Sequence, residues 1–187
     1  MSTIKTTSIT HGSNSGTANL TLASDGGITF ASPPGLFTSY AIIADQKSAG
    51  TGGGTAFANA WTDAVLQTEI ADPDSIVTIA SDQFTLGAGN YLIKWKKSFF
   101  ATQRVVTRLY DVTNSAVKQH SMTVGAFNTS GAVTFSHGIA RVTPTGSTAY
   151  KFQYYADNQD GDGQGVDAPD DECVGIYLLV EIYKEAS

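Results

Sequence analysis

Cysteine occurs once in the 187 residues, at Cys173. A single thiol excludes an internal disulfide and any zinc site built on several cysteines. At the head of the last predicted strand it is expected to be buried or half-buried and inert. Charge is scarce as well: Asp, Glu, Lys and Arg make up 15% of the chain, against about 25% in ordinary soluble domains. Seventeen acids outnumber eleven bases, for a net charge of −6. A chain of that sign lacks the cationic surface that binds nucleic-acid phosphates, so no nucleic-acid partner is expected. No apolar run reaches the roughly 18 residues of a membrane-spanning helix. The opening Met1-Ser-Thr-Ile-Lys5 lacks the apolar core of a secretory leader, which makes assembly in the cytoplasm, away from membranes, the expectation.

Signatures of chemistry are missing too. The three histidines, His11, His120 and His137, have no partners at metal-ligand spacing. There is no G-x-S-x-G and no G-x-x-x-x-G-K-[ST], so Gly52-Gly53-Gly54 reads as a plain flexible loop rather than a phosphate cradle. No pair of carboxylates stands out as the acid and base of a glycosidase. Catalysis is not expected.

What is present is glycine, with nineteen residues, and Ser plus Thr at about a fifth of the chain. Hydrophobic residues reach 41% and aromatic residues 10%, too much for a disordered chain. A single domain with a short appendage fits the length. Residues 1–36 contain few bulky side chains. Within them Leu20-Thr21-Leu22, Asp25-Gly26-Gly27 and Ile28-Thr29-Phe30 spell a small β-hairpin, because Asp-Gly supplies the positive φ of a tight turn. Ser32-Pro33-Pro34-Gly35 closes this arm as a stiff linker.

From residue 37 onward the pattern is short strands parted by turn residues. Tyr91, Ile93, Trp95 and Phe99 alternate with Lys94, Lys96 and Ser98. Similar runs cover residues 40–45, 76–80, 84–86, 104–110, 116–124, 132–142, 149–155 and 174–182. This is an all-β sandwich or barrel. Lys94, Lys96, Lys97, Arg104 and Arg108 fall on neighbouring predicted strands and read together as a solvated sheet face. Residues 55–70 are ambiguous, since Phe57, Trp61, Ala64, Val65 and Thr68 also fit a helical stripe.

The acids are not evenly spread. Asp157, Asp160, Asp162, Asp167, Asp170, Asp171 and Glu172 lie in one segment without a base, while the other ten acids face all eleven bases. That segment therefore accounts for the whole net charge. Asp160, Asp162, Gln164 and Asp171 occupy the first, third, fifth and twelfth places of a degenerate calcium loop, with Gly165 at the sixth. Gln at the fifth place and Asp at the twelfth depart from that pattern. Calcium is the candidate cofactor, against the plainer alternative of a solvated loop whose charge prevents sheet edges from pairing.

Several of these runs together resemble a family of bacteriophage virion proteins. They are Tyr40-Ala-Ile-Ile-Ala-Asp-Gln-Lys47 with the Gly-rich loop after it, Trp61, residues 66–74, 76–79, 83–86, 89–93 and 108–113, and the ending Val180-Glu-Ile-Tyr-Lys-Glu185. The resemblance spans about residues 38–185. It implies the trimeric jelly roll shared by tumour necrosis factor and the complement globular head, and makes residues 61–70 extended. It implies a homotrimeric virion protein: a head of residues 37–187, with an arm of residues 1–36 that contacts other virion proteins. Capsid decoration or head or tail spike is the first expectation. A tail-fibre tip that recognises a host surface glycan is the alternative; Trp95, Tyr154 and Tyr155 could stack on sugar, although aromatics in strands are usually core. In such trimers the final strand lies near the threefold axis. Gly175, Tyr177 and Leu179 are accordingly expected at the subunit interface, and Val174, Ile176, Leu178, Val180 and Ile182 in the core.

Overall fold

The computed structural model describes residues 8–9, 20–24, 27–30, 36–126, 132–170 and 172–186. The chain divides into two units, Met1–Thr38 and Ser39–Ser187. In the first, strands β1 (Ser8–Ile9), β2 (Leu20–Leu22) and β3 (Ile28–Phe30) form an antiparallel sheet in that order. Leu20 pairs with Phe30 and Leu22 with Ile28, as the predicted hairpin requires. The Asp25-Gly26 turn and His11 lie outside the described residues. Strand β1 adds a pairing that the sequence pattern does not announce.

The main unit is built from β4 (Phe37–Ser48), β5 (Thr62–Asp63), β6 (Thr68–Ala71), β7 (Val77–Ala80), β8 (Gln83–Leu86), β9 (Tyr91–Phe100), β10 (Gln103–Asp111), β11 (Ala116–His120), β12 (Val124–Ala126), β13 (Val133–Val142), β14 (Thr148–Ala156) and β15 (Val174–Glu185). One sheet runs β11-β10-β14-β8-β7, with β12 beside β10 and β5 beside β14. The other runs β13-β9-β15-β4-β6. In the first sheet, β10 pairs antiparallel with β11, β12 and β14, β14 with β5 and β8, and β7 with β8; in the second, β9 pairs antiparallel with β13 and β15, and β4 with β6. Among the described residues there is no helix, and so none long and apolar enough to cross a membrane. Residues 55–70 hold no helix: Thr62–Asp63 and Thr68–Ala71 are strands, and residues 59–60 bend. Ala64 and Leu66 are buried two apart, and Ala64 N donates to Phe152 O at 2.9 Å. The helical stripe fails because Phe57 on it is exposed.

Period-two alternation places the core between the sheets. Tyr91, Ile93, Trp95 and Phe99 of β9 point inward, against Phe84, Phe152 and Tyr154 of the opposite sheet. Phe84 stacks on Phe152 and on Tyr150, and Trp95 lies 5.2 Å from the Phe152 ring centroid. The indole of Trp95 spreads over Gly138, its partner on β13. Its Nε1 donates to Thr107 Oγ1 at 2.7 Å, which in turn sits 2.9 Å from Ser136 Oγ. That buried chain ties the two sheets together along one side.

The last strand departs from expectation at its start. Leu178, Val180 and Ile182 are fully buried, but Val174 is 52% exposed and Ile176 44%. The core ends at Leu178, so the earlier residues of the same parity have nothing to pack against. Cys173 is exposed as well, rather than buried or half-buried.

Two substitutions test this packing. A methyl group at Gly138→Ala would fall inside the Trp95 indole. The expected loss is about 3 kcal/mol in denaturant unfolding, the upper end for overpacking. Leu178→Asp should abolish folding, whereas Ile176→Asp should change stability by under about 1 kcal/mol, the usual range for a surface change.

Candidate assembly face and loop clamp

By parity Tyr177 points away from the core, yet it is only 4% exposed. The chain itself covers it. A Cβ on Gly53 would lie 2.8 Å from Tyr177 Cδ1, one on Gly165 2.6 Å, and one on Gly175 2.7 Å from Tyr177 Cζ. Only glycine allows so close an approach from each side. The phenol Oη lies 2.8 Å from Thr51 O and 3.0 Å from Val166 O, and donates its one proton to either. The two loops also zip to each other: Gly53 N donates to Gly165 O at 2.8 Å and Gln164 N to Gly54 O at 3.0 Å. Ser98 Oγ secures the acidic loop from below through Gln164 O at 2.8 Å. The glycine-rich loop and the acidic loop thus form one clamp over the end of the sheet. Gly175 and Tyr177 belong to that clamp rather than to an open surface.

The clamp also decides what the acidic loop can hold. Gln164 is buried, and its Nε2 donates to Thr55 O at 2.9 Å. Its side chain faces the protein interior, not a loop ligand. Asp160 pairs its backbone with Ala56, and its Oδ1 accepts Asp162 N at 2.9 Å. Asp162 is exposed. Asp171 lies outside the described residues. Among the described residues no three His, Cys, Asp or Glu side chains gather as a metal site. The cation at this clamp is the chain's own: Lys47 Nζ donates to Gly53 O at 3.0 Å and lies 5.5 Å from the Tyr177 ring centroid.

Beneath the clamp lies a residue that the sequence pattern misplaced. Lys97 is not on the solvated face with Lys94 and Lys96; it is fully buried. Its parity is that of Trp95 and Phe99, and its Nζ lies 5.5 Å from the Phe99 ring centroid and 5.8 Å from that of Tyr154. Burial lowers its pKa to about 8, with Asp45 opposing the shift and Lys47 adding to it. Asp45, also fully buried, is raised by burial, against the pull of Lys47 and Lys97.

Beyond the clamp the outer face of the five-stranded sheet is open. Val133, Phe135 and Ile139 of β13 and Tyr40 of β4 are exposed there, beside the half-buried Leu179. Two ion pairs lie on this face: Lys94 reaches Glu181 at 3.3 Å, and Arg141 forks onto Glu185. Lys96 lies over the Phe135 ring at 4.1 Å. A groove of about 620 Å³ crosses this face, lined by Met122, His137, Ile139, Lys94, Leu179 and Glu181 among others.

The outer face of the other sheet is different in kind. Arg108 stacks on Trp61 at 3.9 Å, with His120 and Tyr155 beside the indole at 5.7 and 5.8 Å. Arg108 Nε donates to Gln153 Oε1, Gln153 Nε2 to Asp63 Oδ1, and Lys151 Nζ to Asp63 Oδ2. Of the aromatics considered for sugar stacking, Trp95 and Tyr154 are buried in the core and only Tyr155 reaches this surface. Trp61 carried no periodic signal that set it apart.

Two measurements follow. Between about 8 and the ordinary 10.5 the unfolded chain holds the Lys97 proton that the folded chain has released. Stability therefore rises with pH across that window. The melting temperature should climb from about pH 8 to about pH 10.5, and Lys97→Met should remove the climb. For calcium, a bound ion at 100 times its dissociation constant would add about 2.7 kcal/mol. With Gln164 turned inward and Lys47 in place, melts in calcium and in chelator should coincide.

No protein-family model matches the chain, and no curated protein matches it. Solved structures do. Eiger TNF from S. frugiperda is 11% identical over 80% of this chain and 95% of that one, at a TM-score of 0.52. Murine APRIL is 8% identical over 78% and 98%, at 0.50. The PRD1 vertex protein P5 is 17% identical over 81% and 100%, at 0.48. At such identities the likeness concerns the fold alone, and with the two antiparallel sheets it identifies the main unit as a jelly roll of the tumour-necrosis-factor type.

Proposed function

We propose that this chain is a bacteriophage virion protein that assembles as a homotrimer and stands on the particle surface as a capsid decoration or spike. The observation that carries the reading is the open apolar face of the five-stranded sheet. Lys94 and Arg141 are already paired with Glu181 and Glu185, and Lys96 rests on the Phe135 ring; an exposed apolar patch of this kind marks an interaction surface. The phage assignment draws on the sequence runs that resemble virion proteins. Leu179 takes the central place in the interface, while Gly175 and Tyr177 support it from under the clamp. Residues 1–36 are the arm that fixes the head to the particle. No catalytic role is assigned to any residue.

A second reading, a tail-fibre tip for a host glycan, is favoured by the Trp61, Tyr155 and Arg108 cluster on the opposite sheet. Aromatic rings backed by fixed polar groups suit such contacts. Binding of the isolated head to a glycan array, lost in Trp61→Ala, would favour this role over passive decoration.

Leu179→Asp would bring three carboxylates into the buried interface without partners. The expected result is a folded monomer by light scattering, where the parent protein is a trimer; a trimer of unchanged stability would remove Leu179 from the interface. Deleting residues 1–36 should leave a folded head that no longer incorporates into particles, as read by antibody labelling of intact virions. Normal incorporation would refute the anchoring role of the arm.

A further inference from the structure

Among the described residues, five buried side-chain atoms have no hydrogen-bond partner: both carboxylate oxygens of Asp45, Lys97 Nζ, Thr102 Oγ1 and Gln164 Oε1; Lys47 Nζ approaches Asp45 Oδ2 only to 4.0 Å. Asp45, Lys97 and Thr102 are fully buried, and Gln164 is 7% exposed. Native interiors leave very few polar atoms in this condition, and a charged one is the costliest to leave so.

These atoms gather at the clamp end of the sandwich. Asp45 and Lys97 project from the inner face of one sheet, on β4 and β9, with β15 between them. Strands two places apart have backbones about 9.5 Å from each other, and no hydrogen bond joins the two side chains. The Tyr154 ring, 5.8 Å from Lys97 Nζ, leads toward the clamp: Tyr154 Oη lies 3.4 Å from Thr55 O, the same oxygen that holds Gln164 Nε2 at 2.9 Å. Thr102 packs against Gly163, the neighbour of Gln164.

The chemistry of the set narrows what can satisfy it. Asp45 needs donors and Lys97 needs acceptors. A metal ion would meet the ammonium groups of Lys97 and Lys47, and an anion would meet the Asp45 carboxylate. A small neutral molecule that both donates and accepts meets neither obstacle, and water is the one small enough for a packed interior. We propose that the clamp end of the sandwich encloses an internal hydration site, in which ordered water bridges the Lys97 ammonium to the Asp45 carboxylate and donates to Gln164 Oε1. The acidic loop is then anchored from inside by water as well as from outside by Tyr177.

A crystal structure of the full chain at a resolution that reveals ordered solvent is the direct test. Expected is at least one water within hydrogen-bond distance of both Lys97 Nζ and an Asp45 oxygen. Direct contact between the two side chains, or a dry interior around both, overturns the proposal. Oxygen-17 relaxation dispersion gives the same answer in solution by counting long-lived internal waters. The Lys97→Met, Asp45→Leu double variant, which removes both charges together, should hold fewer than the parent protein. An equal count in the folded double variant also overturns it.

Discussion

The burial of Tyr177 by the chain's own loops organises the functional half of this molecule. One ring, admitted by glycines at 53, 165 and 175, draws together two loops more than a hundred residues apart in sequence. It thereby divides the outer face of the five-stranded sheet. One end is sealed by Thr51, Gly53 and the residues around Gly165; the rest, with Leu179, Ile139 and Phe135, stays open. The position of the proposed assembly face is a consequence of that boundary. So is the depth of Lys97, which is shut off from bulk solvent beneath the clamp.

Electrostatics follow the same division. The segment that carries the whole net charge forms one side of the clamp and keeps Asp162 and Asp167 in water, where like charges cost little and discourage association of sheet edges. Inside, Asp45 and Lys97 are fully buried, and Lys47 Nζ lies 4.0 Å from Asp45 Oδ2. Lys47 stands between the two regimes, its ammonium held by loop carbonyls and the Tyr177 ring. On the open face Lys94 and Arg141 are paired with acids, and Lys96 lies on the Phe135 ring. Association there can be driven by apolar burial with little ion desolvation beyond what the protomer has already met.

The two outer faces are suited to different tasks. The face around Leu179 is apolar and grooved, fit for permanent burial. The face around Trp61 is an aromatic and ionic network already bonded to itself, so its side chains are held in place before any contact is made. In the proposed role the rigid sandwich hides one face and displays the other, and neither task disturbs the core.

The all-β class, most strand positions, the small hairpin at Leu22 and Ile28 and the inward row of Tyr91, Ile93, Trp95 and Phe99 could be read from period-two alternation, which is a local property of the backbone. Lys97 was equally legible by parity and was hidden by its charge, since a lysine in a row of core residues is grouped with its exposed neighbours. The calcium pattern was legible as spacing, but spacing does not say which way Gln164 turns; the carbonyl of Thr55, over a hundred positions away, decides that. For Tyr177 and Leu179, alternation correctly assigned the face but not what lies over it. A strand determines which side a residue points to by itself. Whether that side meets water, a loop or another subunit depends on segments that only the folded chain brings near. That is why Tyr177 became the fastening of a clamp and Leu179, two residues on, the centre of an open surface.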